Sequence, residues 1–77
     1  MAYGYFLQNQ DNEYLKALNT AEGTIEFTTN LDEACNYKGR PGGGQWDALN
    51  EKEFITYHFS DEYGDKVNTL ECVYKEW

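Results

Sequence analysis

Apolar and polar positions alternate with a period of two through the first part of the chain. "YGYFLQ" (3–8) is rich in aromatic residues and predicts a strand. "NQDN" (9–12) is a cluster of turn residues. "EYLKAL" (13–18) alternates again, with Leu15 and Ala17 on one face and Tyr14, Lys16 and Leu18 on the other. The two runs predict a hairpin across residues 3–18. "NTAEG" (19–23) forms the next turn, and "TIEFTT" (24–29) sets Ile25, Phe27 and Thr29 against Thr24, Glu26 and Thr28. That is the pattern of a strand with one buried and one wet face.

The period changes after residue 29. Asn30 is a candidate N-cap, with Glu33 three residues on as in a capping box. Asp32 and Glu33 suit the positive end of a helix, and Gly39 suits the position just past its C-terminus. Leu31, Ala34 and Cys35 share a helical face, so a helix of about two turns is expected over 31–38. The segment "DALNEKEF" (47–54) is ambiguous, with Asp47 able to cap a short turn carrying Ala48 and Leu49. "FITYHFS" (54–60) reads as a strand by composition, "DEYGD" (61–65) as a turn and "KVNTLECVYKEW" (66–77) as a long strand with Leu70, Cys72 and Tyr74 on one face. Residues 54–77 are thus expected to form a second hairpin. The order β-β-β-α-β-β predicts an α+β fold: a mostly antiparallel five-stranded sheet with one short helix packed on a face. Nothing in the chain marks a boundary, so residues 1–77 are read as a single domain.

A chain of 77 residues buries a modest share of its surface, and seven Tyr, four Phe and two Trp supply the bulk for a small core. The formal charge is −8, from fourteen acidic and six basic residues. This balance opposes direct binding to nucleic acid and to anionic membranes, both of which need basic surface. It favours solubility or a protein partner with a basic surface. "MAYGYFLQNQ" has no basic region followed by an apolar run, so a cytoplasmic location with reduced Cys35 and Cys72 is expected. A disulfide between the two cysteines stays open at this stage.

"GRPGGGQW" (39–46) holds Arg40, the only arginine, and Trp46. It lacks the GK[ST] of a phosphate-binding loop and the strand-to-helix setting of a dinucleotide-binding turn, so no nucleotide cofactor is expected. Arg and Trp recur as interface anchors, and the loop is read either as a grip on a partner or as a latch with Trp46 folded inward. His58 is the sole histidine, and with Cys35 and Cys72 it offers no close ligand pair, so no metal is expected. No nucleophile–base pair stands out, and both cysteines read as core contacts in an acidic chain. The expectation is a protein that is not an enzyme.

Asp47, Glu51, Glu53, Asp61, Glu62 and Asp65 crowd between residues 47 and 65, opposed by Lys52 alone. Asp61, Glu62 and Asp65, with Tyr63 among them, make a candidate docking face, and Arg40 and Trp46 a second one on the glycine loop. Exposed Tyr and Trp are enriched at interfaces.

In the first half of the chain, Tyr14-Leu15-Lys16, then Ile25, Phe27 and Thr28, then Ala34 follow a strand–"YLK"–"I-x-FT"–helix pattern. This resembles small uncharacterised proteins of phages of Gram-positive bacteria, a group with no settled chemistry. The resemblance leaves out the "RPGGGQW" loop and the C-terminal segment. By analogy of class it implies a small acidic inhibitor like the anti-CRISPR proteins, a DNA mimic that binds a CRISPR effector or another nucleic-acid enzyme of the host through a basic surface. The alternative is a structural or assembly module that homodimerises through an edge strand or an aromatic sheet face.

Overall fold

The computed structural model describes residues 2–77. Three strands follow the alternating pattern: β1 (Tyr3–Gln8), β2 (Tyr14–Asn19) and β3 (Thr24–Thr28). A single 3₁₀ turn, Leu31–Glu33, comes next, then α1 (Gln45–Tyr63), the one-turn α2 (Asp65–Asn68) and β4 (Glu71–Glu76). The sheet has the order β3-β2-β1-β4 with every pairing antiparallel. The class is α+β, as expected, but the sheet has four strands and not five.

The C-terminal half departs most from expectation. Residues 54–60, strand-like in composition, lie inside α1, so the second hairpin does not form and β4 pairs with β1 instead. Nineteen residues of α1 contain neither glycine nor proline, and Ala48, Ile55 and Phe59 recur at helical spacing on its buried side. Burial of that side against β1 and β4 outweighs the local β preference of Phe54, Ile55, Thr56 and Tyr57. The helix is bounded by two glycines at positive φ. At the start, Gly44 (φ 85°) donates its N–H to the Asp47 carboxylate at 3.1 Å. At the end, Gly64 (φ 59°) donates to the Ser60 carbonyl at 2.8 Å.

The helix expected over 31–38 shrinks to its first turn. Asn30 does cap it, accepting from the Asp32 N–H at 3.0 Å and donating to Glu33 at 3.1 Å. From Ala34 onward the backbone turns extended and enters the sheet. There β1 and β2 share a single register pair, Gln8 with Tyr14, and then diverge. Residues 35–37 fill the gap: the Cys35 N–H donates to the Leu15 carbonyl at 2.9 Å and the Tyr37 N–H to the Tyr5 carbonyl at 3.0 Å. The Asn36 amide extends this pairing with its side chain, accepting from the Tyr5 N–H and donating to the Tyr3 carbonyl. A side chain thereby serves β1 as a peptide group would.

A register irregularity between Leu15 and Ala17 also changes which residues of β2 face inward. Leu18 pairs with Ile25 and packs on the core, while Ala17 is exposed, opposite to the simple alternation. The main core joins Leu7, Leu15, Ile25, Tyr37, Ala48, Ile55, Phe59, Val67 and Leu70. Each of the Leu, Ile, Val and Phe side chains among them contributes about 1.5–3 kcal/mol on full burial. On the opposite sheet face Phe6 is buried under Tyr14 and Trp77, and the Trp77 indole donates to Asp32 at 2.9 Å. Asn9, a buried polar residue, ties the β1–β2 turn to α2 by accepting from the Asp11 and Glu13 N–H groups and donating to the Lys66 carbonyl.

Candidate interaction surface

The carboxylates singled out in the sequence sit at the end of α1. Asp61 and Glu62 are exposed on its last turn, and Asp65, also exposed, opens α2 just beyond Gly64. The expected "DEYGD" turn is therefore a helix end followed by a second helical turn. Among the described residues the ion pairs are Lys16–Glu33 and Lys66–Glu13, and neither uses these three carboxylates.

Tyr63 is built into the fold. Its hydroxyl accepts from the Ile25 N–H at 3.2 Å, and its ring packs edge-on to Phe27 and tilted against Phe59. Arg40 turns toward its own loop: its guanidinium lies over the Tyr37 ring, 4.9 Å from the centroid, and one nitrogen approaches the Cys35 sulfur at 3.7 Å. Trp46 does not fold inward as a latch. It is the second residue of α1 and stands outside the core, 64% exposed, with one edge of the indole over Gly42.

The glycine loop is a chain of turns, not a free arm. The Arg40 N–H bonds the Tyr37 carbonyl, the Gly43 N–H bonds the Arg40 carbonyl, and Gly39, Gly43 and Gly44 take positive φ. It delivers the chain from the sheet insertion into α1. The Asp47 carboxylate already occupies the first turn of that helix, so an incoming phosphate would meet a negative group there.

Tyr37 is fully buried, and its hydroxyl has no hydrogen-bond partner among the described residues. Burial, together with the Glu51 carboxylate nearby, holds its pKa far above the ordinary tyrosine value. Cys35 and Cys72 are free thiols, each half-buried. Burial pushes the Cys72 thiol up, with Lys52 acting against it. His58 lies on the outer side of α1, its ring 4.4 Å from that of Phe54 and 5.0 Å from that of Tyr57. This helical position replaces the strand that the sequence predicts over residues 54–60. Among the described residues no group of three or more His, Cys, Asp or Glu side chains converges on a metal position.

Sequence reasoning passed over Leu49, Phe54 and Tyr57. All three lie exposed on α1, with Tyr57 the most exposed large apolar residue of the fold at 84%. The signal was the run free of glycine and proline with apolar residues on two opposite helical faces. Among the described residues no helix is long and apolar enough to cross a membrane. Compared with known proteins, the chain matches no family, no curated relative and no solved structure.

Proposed function

We propose that this chain is a small non-catalytic binding protein that inhibits or modulates a nucleic-acid-processing protein, such as a CRISPR effector, by occupying a basic surface of that partner. The observation that carries the reading is the placement of charge. The chain has net charge −8, and Asp61, Glu62 and Asp65 stand together at one end of α1 with no ion pair among the described residues. Unneutralised carboxylates on a rigid helix end present a negative potential that steers association with a basic groove. A phage origin and action in the host cytoplasm belong to the same proposal.

The test is inhibition of DNA cleavage by a panel of purified CRISPR effector nucleases. Wild-type protein is expected to inhibit at least one, with potency falling as salt rises. The triple charge reversal Asp61→Lys, Glu62→Lys, Asp65→Lys is expected to weaken inhibition by about tenfold or more. Full potency in that variant would remove these residues from the docking role.

The alternative, self-association, has one observation in its favour. β4 is an edge strand, and Tyr74 on it is half-exposed beside Tyr3 and Tyr5. A monomer mass independent of concentration would exclude it.

A further inference from the structure

The outer side of α1 carries four large apolar side chains among polar ones, where a helix on the surface of a small domain is ordinarily polar throughout. Trp46 and Tyr57, about three turns apart, point directly away from Ala48, Ile55 and Phe59, with Leu49 on one flank and Phe54, beside His58, on the other. Their exposures are 64% for Trp46, 43% for Leu49, 84% for Tyr57 and 41% for Phe54, so all four are uncovered, with the exposed Asn50 and Glu53 between them. Single exposed apolar residues carry no meaning, but a group of four on one helix including a Trp and a Tyr has the composition of an interface centre.

A groove of about 330 Å³ runs beside this group, between α1 and the β2–β3 turn, lined by Thr20, Gly23, Phe54, His58, Phe59 and Glu62. Its floor is aromatic and Glu62 stands at it, so an apolar side chain entering it would bring its neighbours to a carboxylate. Glu53 lies within the apolar group, Asp61 one turn beyond Tyr57, and Lys52 is the only Lys or Arg of α1.

We propose that this face is a docking site for an amphipathic basic segment of a partner protein, a helix whose apolar side covers Trp46, Leu49, Phe54 and Tyr57 and whose Lys or Arg residues meet Glu53, Asp61 and Glu62. The proposal rests on the reading of the chain as a binder of basic partners and names the surface and the partner's chemistry. Charge selects the occupant. A second copy would set Glu53, Asp61 and Glu62 against their own like, and nucleic acid or an anionic lipid surface would meet the same repulsion. A basic amphipathic segment satisfies both the apolar group and its acidic surround, in the manner of helix-on-helix recognition.

The experiment uses the whole chain and two probes: a synthetic amphipathic helix of leucine and lysine with one apolar side, and polylysine of equal charge. Calorimetric titration is expected to show saturable binding of the amphipathic helix and at least about tenfold weaker binding of polylysine. In a Trp77→Phe background the emission of Trp46 shifts to the blue on binding the helix. The double substitution Leu49→Gln, Tyr57→Gln weakens the helix by about tenfold or more while leaving the thermal midpoint in place, because both side chains are outside the core. Equal affinity for the two probes, unmoved by the double substitution, overturns the apolar docking site and leaves charge-based docking standing. Failure of both probes to bind overturns both readings. A concentration-dependent dimer abolished by the double substitution overturns the proposal in favour of a second copy.

Discussion

Tyr37→Ala lowers the free energy of unfolding by about 3–5 kcal/mol, while Tyr37→Phe leaves it unchanged or raises it by about 1 kcal/mol. The first value follows from position. Tyr37 is the largest fully buried side chain and lies where residues 35–37 wedge between β1 and β2, so its removal leaves a cavity that strands held by backbone hydrogen bonds cannot close. The second follows from chemistry. The hydroxyl is buried without a partner, so the native state bears its desolvation, and phenylalanine keeps the ring without that cost.

The pH dependence separates ring from hydroxyl. Burial holds the folded-state pKa above the unfolded value of about 10, so the folded protein keeps a proton that the unfolded chain releases. The resulting contribution is intact below pH 10 and is lost as pH rises above it, at about 1.4 kcal/mol per pH unit for one proton. Urea unfolding at pH 8, 10 and 11 is expected to show this extra slope in the wild type and its absence in Tyr37→Phe. Identical slopes for the two proteins would mean that the hydroxyl is solvated.

The contrast between the halves of the chain explains what a reader of the sequence recovers. β1, β2 and β3 are legible because each has one wet face, and their period of two survives along "YGYFLQ", "YLKALN" and "TIEFT". The register shift at Lys16 is invisible, since nothing local distinguishes Ala17 inward from Leu18 inward. α1 is hidden for a physical reason. Its apolar residues lie on two opposite sides, the inner set of Ala48, Ile55 and Phe59 and the outer set of Trp46, Leu49 and Tyr57. The two sets together erase the helical period, and the β-branched and aromatic residues of 54–60 supply a strand-like composition instead. The residues that mask the helix are the ones left exposed on it. Failure of the local pattern there is what a sequence serving both a core and a second surface would produce.

The acidic end was legible as composition but not as shape. Asp61, Glu62 and Asp65 read as a flexible turn between strands, whereas the helix end and Gly64 fix them on rigid backbone. A fixed array loses less conformational freedom on binding than a loop does. The role of Tyr63 could not be read from sequence at all, because its partner, the Ile25 backbone, lies 38 residues away.

Gly4→Ala and Asn36→Ala are each expected to destabilise the fold by about 2–4 kcal/mol, and the double variant by little more than either alone. A methyl group on Gly4 would overlap the Asn36 amide. That amide is not free to yield: it accepts from the Tyr5 and Lys38 N–H groups and donates to the Tyr3 carbonyl. Eviction would forfeit three hydrogen bonds and open the side of β1 that the side chain closes. The glycine and the asparagine are therefore one device, in which the missing side chain at Gly4 makes room for an amide acting as an extra peptide group. Strand β1 is the element on which β4 and residues 35–37 both pair, so its loosening reaches the seat of Tyr37 and the floor under α1. A double-mutant cycle by chemical denaturation measures the coupling directly. Additive losses would show that Gly4 and Asn36 act separately, whereas a coupling of about 2 kcal/mol or more would show that each is needed only because the other is there.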